Sequence, residues 1–167
     1  MTKQLDFDTH PPGSRLDYNR VFIRISDAPD LEYVVLIAHV LVYEELCWLL
    51  GARLRTDTLP ERMPLFEAVV GLALAGSRFT SDRELLQLLN SARNEVAHRT
   101  NRPKFEAKLR EFSSRLWRDK KYGSAGFKWT RNNQEQVDSF MYAVGVLSAR
   151  LSDYFNEFKI HRRCRVA

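Results

Sequence analysis

The chain has 167 residues, 44% of them hydrophobic, with 7 Gly and 6 Pro; that composition describes one globular domain able to bury a core, and it excludes chain-wide disorder and collagen-like or repeat architecture. Two cysteines, Cys47 and Cys164, are too few for a disulfide scaffold, and with no secretory pattern read at the start a cytoplasmic location is expected. The formal charge of +5 is unevenly spread: residues 1–60 carry 6 basic and 9 acidic groups, residues 61–98 carry 4 and 5, and residues 99–167 carry 16 and 7. Of the 26 basic residues 19 are Arg, whose planar guanidinium forks onto phosphate oxygens, so an anionic partner is expected, with nucleic acid first.

Residues 1–28 show no helical period, contain Pro11-Pro12-Gly13 and offer one short extended run, Arg20-Val21-Phe22-Ile23-Arg24-Ile25. They read as an irregular N-terminal arm that packs onto the domain. A first helix is expected with Asp30 as N-cap, running from Leu31 to about Leu50 and closing on Gly51. Its centre, Tyr33 to Tyr43, is apolar nearly all round, which marks the central helix; a strand is the weaker reading of its β-branched run. A membrane span is set aside because Glu44-Glu45 interrupt the run short of the ~18–20 residues a span needs.

The second helix begins near Pro64 and stops at Gly76, with Leu65, Phe66, Val69, Leu72 and Ala73 in its stripe. The third opens with a capping box, Ser81-Asp82-Arg83-Glu84, and runs to about His98. The fourth starts at Pro103 and spaces Phe105, Leu109, Phe112 and Leu116 at helical intervals. After a Gly-containing connection from Tyr122 to Thr130, the fifth carries Val137, Phe140, Met141, Val144, Leu147, Leu151, Tyr154, Phe155 and Phe158. The expected architecture is all-α, a four- to five-helix up-down bundle over residues 29–160 with a basic, solvated tail at 161–167.

The third helix carries the unusual polar residues. At about 100° per residue, Leu85, Leu88, Leu89, Ala92 and Val96 form an apolar stripe, while Gln87, Asn90, Ser91, Arg93, Asn94 and His98 share the opposite arc. An exposed helix face is normally filled with Glu and Lys; poor helix formers in their place point to a lined groove or an interface.

Ser91-Ala92-Arg93-Asn94-Glu95-Val96-Ala97-His98 resembles the R-x4-H motif of the HEPN superfamily, small helical bundles, usually dimeric, that include metal-independent endoribonucleases of toxin–antitoxin and antiphage systems. A looser likeness from Pro64-Leu65-Phe66-Glu67-Ala68 through Gly76 to His98 is similar to mannitol operon repressor-like proteins. With 19 Arg and 4 His, a bare R-x4-H arises by chance in roughly one such chain in two, and requiring Asn after the Arg lowers that to roughly one in fifty. The resemblance implies a HEPN-like bundle, a homodimer in which two copies of Arg93 and His98 face one phosphate, and an antitoxin or regulatory protein as a further partner. It implies no cofactor and no metal. One HEPN subgroup extends the motif to a tyrosine two residues past the His; Thr100 stands there, so control by tyrosine modification is not expected.

The chemistry follows from the residues themselves. RNA is cut without metal when a base removes the 2′-hydroxyl proton and a cation stabilises the charge that builds on the phosphoryl oxygens. Histidine titrates near neutrality, so His98 suits general base or acid; Arg93 would hold the scissile phosphate, and Asn94 would orient the phosphate or the imidazole. Arg99, Arg102, Lys120, Lys121, Lys128, Trp129 and Arg131 are expected to bind RNA, the last five because basic and aromatic residues interleave there as stacking and phosphate contact require. The alternative for that loop is that its aromatics fold back onto the bundle.

The rival function is a non-catalytic helical regulator or interaction module, in which the same motif ties helices or a dimer together. A helix-turn-helix DNA-binding protein ranks third, since no helix pairs a short Gly turn with base-reading residues. Glu44 and Glu45 read as partners for Arg, and His39 as a satisfied core or rim histidine. His161 and Cys164 lack a second ligand pair for zinc, and no Walker A, GxGxxG or G-x-S-x-G pattern occurs.

Overall fold

A computed structural model describes residues 30–54, 66–73, 80–98, 102–121, 123–124 and 128–164. The expected N-terminal arm, Pro64, Leu65, Gly76 and Arg99 lie outside the described residues. Among the described residues the protein is all-α: α1 (Leu31–Leu54), α2 (Phe66–Ala73), α3 (Thr80–His98), α4 (Arg102–Trp117) and α5 (Asn133–Cys164).

The four longer helices close a ring in which α1 packs on α3, α3 on α4, α4 on α5 and α5 on α1, while short α2 lies across the α1/α3 seam and touches both. A ring of this kind lets each helix bury its apolar stripe against two neighbours. Leu89, Leu109, Phe112, Leu116, Phe140, Leu147 and Leu46 meet in the centre with no exposure, and the Phe112 and Phe140 rings tilt together at 5.6 Å. Helices α3 and α4 run antiparallel, since Ser91 and Glu95 meet Lys108 while Glu84, about two turns before Ser91, meets Arg115 farther along α4.

Asp30 caps α1 as expected, its Oδ1 accepting the Tyr33 amide at 2.8 Å. The expected stop at Gly51 is overturned: α1 continues through this buried glycine to Leu54. A glycine inside a helix costs about 1 kcal/mol relative to alanine, and the extra turn places Arg53 where its Nη1 donates to the Ala73 carbonyl at the end of α2, 3.1 Å away. Glu44 and Glu45 do not shorten the apolar run as expected. Leu31–Gly51 is long and apolar enough, by length and composition, to cross a membrane, at a mean hydropathy of 1.8, despite Glu44 and Glu45; 67% of that stretch is buried inside the bundle. The two glutamates part, Glu45 inward and Glu44 outward.

The capping box is also corrected. Helix α3 already includes Thr80, so Ser81 lies within the helix and not at its cap, and the Glu84 carboxylate accepts from Arg115 Nη1 at 2.9 Å. Asp82 is fully buried and meets the guanidinium of Arg150 and the hydroxyl of Tyr154, both on α5. Arg150 Nη1 also reaches Asp119 Oδ2 at 3.0 Å, just past the end of α4. Gly123 shapes that corner: a Cβ there would lie 2.5–2.6 Å from backbone atoms of Leu116, Trp117 and Asp119, so no other residue fits without moving the chain. At the other end of α5 the backbone stays helical through Cys164, so the expected tail from residue 161 begins inside the last helix.

Burial lifts the Asp82 carboxyl above the ordinary carboxylate range, and Arg150 pulls it back down. Removing one partner of such a pair leaves a charge without compensation in the interior. Asp82→Ala is expected to lower unfolding free energy in urea by about 3–5 kcal/mol, whereas Tyr154→Phe, which spares the ion pair, costs about 1 kcal/mol. Equal losses from the two would show that the pair does not carry this corner.

Candidate functional site

The polar arc of α3 divides when the helix is placed in the bundle. Ser91 and Glu95, one turn apart, face α4, where Lys108 Nζ donates to Ser91 Oγ at 2.6 Å and to Glu95 Oε1 at 2.7 Å. Ser91 therefore leaves the open arc to which its angle assigned it, because α4 packs closely enough for one ammonium to reach both oxygens. Asn90 and Arg93 are half-buried, and Asn94 and His98 are exposed.

Arg93 is half-buried, and its Nη1 donates to Asn94 Oδ1 at 3.1 Å, which brings two of the three expected catalytic residues together. His98 ends the helix and is exposed. Five residues of α-helix separate it from Arg93 by about 7.5 Å along the axis and roughly 140° around it, so within one chain the two side chains leave the helix in different directions.

A different histidine lies beside Arg93. His39, at the middle of α1, approaches Asn90 with its Nε2 3.1 Å from the amide oxygen, and its ring stacks on Phe66 of α2 at 4.5 Å. Tyr43, one turn along α1, stacks on the same Phe66 ring at 6.0 Å. Burial pulls the His39 imidazole below its ordinary value near 6.5; the Asn90 hydrogen bond lifts it in part, and the positive charge of Arg93 lowers it again. Three helices thus converge on His39, Phe66 and Asn90, with half-buried Arg93 one turn along α3 from Asn90 and exposed Asn94 bonded to it. The sequence reading assigned His39 to the core or its rim; the signal for more was that it is the only polar, titratable side chain of its kind inside the apolar run Tyr33–Tyr43.

The expected RNA-binding residues scatter. Arg102 is exposed but engaged, with Nε 3.1 Å from Glu106 and Nη1 3.6 Å from Glu32 of α1. Lys121 Nζ pairs with Asp153 at 2.6 Å. Lys120, Lys128 and Arg131 are exposed. Trp129 is half-buried and packs against the core, which favours the folded-back alternative for its ring over a free stacking platform. Among the described residues no three of His, Cys, Asp and Glu group as a metal would require. No protein-family model, curated protein or solved structure matches the chain.

Because the folded state holds His39 below its unfolded value, the unfolded chain binds more protons as pH falls under about 6.5, so stability drops with acidification through that window and is fully present above it. Around the ring stand Arg93 from α3, Phe66 from α2 and Tyr43 on its own helix. Urea unfolding at pH 7.0 and then near pH 5 should show a smaller loss for His39→Gln than for the wild type. Parallel losses would mean that His39 titrates alike in both states.

Proposed function

We propose that this protein is a metal-independent endoribonuclease of the HEPN type, cutting single-stranded RNA at a composite site built from Arg93, Asn94 and His98 of two copies. The observation that carries the reading is the placement of the motif at the end of a long helix in an all-α bundle, with a half-buried Arg93 whose guanidinium bonds the adjacent Asn94 and an imidazole open to solvent. A guanidinium so held is ready for a phosphate without first losing the freedom of a surface arginine. The 140° between Arg93 and His98 makes a second copy useful, since one chain's His98 can complete the site of the other. Helix α1 offers apolar groups for such a contact, with Tyr33 48% and Val40 54% exposed. Lys120, Lys128 and Arg131 supply the outer positive surface that draws RNA in, and the setting is a cytoplasmic toxin–antitoxin or defence system in which a second protein restrains the enzyme.

A regulator without activity is the second reading, favoured by the bond from His39 to Asn90, which fastens α1 to α3 through the same polar row. The two part in one assay. Purified protein with single-stranded RNA in EDTA should cleave it and leave the same DNA sequence whole, since only RNA carries the attacking hydroxyl. Arg93→Ala and His98→Ala should each lower the rate by at least about 10²-fold. Intact RNA, or cleavage untouched by both substitutions, hands the motif to the regulator.

A further inference from the structure

We propose that His39 is the second proton-transfer group of the Arg93 site, taking the 2′-hydroxyl proton of an RNA whose scissile phosphate Arg93 holds, with Asn90 fixing its tautomer. This rests on the ribonuclease reading and adds to it a residue outside the R-x4-H motif. Cleavage by transesterification needs two proton transfers, one from the attacking hydroxyl and one to the leaving oxygen. In the motif alone a single imidazole must do both, or two copies of the same imidazole must share them.

The bundle brings in another. Asn90 stands one turn before Arg93 on α3, and the ring of His39 reaches it from α1. With the Asn90 amide oxygen turned toward the ring, Nε2 carries the proton and Nδ1 the lone pair, the arrangement by which an orienting amide or carboxylate prepares an imidazole as a base. Phe66 holds the ring plane from one face. Burial and the nearby guanidinium keep the imidazole neutral at physiological pH, the form a base requires.

The step balances without a co-reactant. His39 accepts the 2′-hydroxyl proton as O2′ bonds to phosphorus. The bond from phosphorus to O5′ breaks with its electron pair on O5′, which takes a proton from His98 in its cationic form. The products are a 2′,3′-cyclic phosphate and a 5′-hydroxyl. His98, exposed at the end of α3, can exchange its proton with solvent; His39 is half-buried.

The test uses the full chain, labelled for observation of histidine rings by NMR, with a 3′-mononucleotide as probe, and a cleavage assay on the same preparations. The expected result is that the His39 ring signals and their titration midpoint move on adding the nucleotide and no longer do so in Arg93→Ala. In the assay, His39→Gln should lower kcat by at least about 10²-fold with KM within about twofold, and should remove the acidic limb of the pH–rate profile. Cleavage by His39→Gln at the wild-type rate with both limbs kept, or a His39 ring that ignores the nucleotide while the wild type cuts RNA, overturns the role of His39 and leaves the ribonuclease standing. No cleavage by the wild type overturns both. Should His39→Gln fail to fold, the ring response of the wild type decides.

Discussion

The bundle depends on one buried ion pair. Asp82 near the start of α3 and Arg150 on α5 come from helices that stand opposite each other in the ring, so their contact spans the interior where apolar packing would otherwise suffice. Such a pair adds little net stability over a hydrophobic substitute, but it is demanding in geometry. Arg150 must meet Asp82 and Asp119 together while Tyr154 donates to Asp82, which admits one relative height for α3, α5 and the turn after α4. Leucine and phenylalanine stripes tolerate sliding by a turn; this cluster does not. The polar row of α3 therefore meets α1 in a fixed register, and His39 faces Asn90 as a consequence.

The same anchoring separates the two ends of α3. Its first turn is locked into the core by Asp82, and its middle is held from behind by the bonds of Lys108 to Ser91 and Glu95. On the other side of those turns Asn90 meets His39 of α1, while Asn94 and the last residue, His98, are exposed. Buried polar bonds concentrate at one end and exposed polar groups at the other.

The helices were legible because burial on one side imposes a period of 3.6, and that period is plain in Phe105, Leu109, Phe112 and Leu116 and in the long run from Val137 to Phe155, all buried as expected. What stayed hidden is what depends on residues far apart in the chain. Asp82 read as part of a cap because its neighbours have cap chemistry; its true partners lie 68 and 72 positions away. Gly51 read as a stop because glycine favours one, yet α1 gains an Arg53 contact to Ala73 by continuing. Arg93 and Asn94 were visible in a motif, whereas His39 reaches Asn90 only through α1 packing on α3, and an apolar helix with one histidine gives no direction for that ring.

Charge shows the same limit in another form. The basic surplus after residue 98 suggested a continuous guide surface for RNA, but within the fold Arg102, Lys108, Arg115, Lys121 and Arg150 each meet carboxylates. Several of those carboxylates, Glu84, Glu95 and Asp82 among them, come from the earlier part of the chain whose slight acidity balanced the count. Part of the surplus is therefore internal wiring between α3, α4 and α5. Lys120, Lys128 and Arg131 are exposed between α4 and α5, and on α3 one guanidinium bonds Asn94 near an imidazole that its own charge helps to keep neutral. An arginine that depresses a neighbouring histidine stabilises the base form of that histidine and offers its own charge to an incoming phosphate, so the two residues favour the same ligand for different reasons.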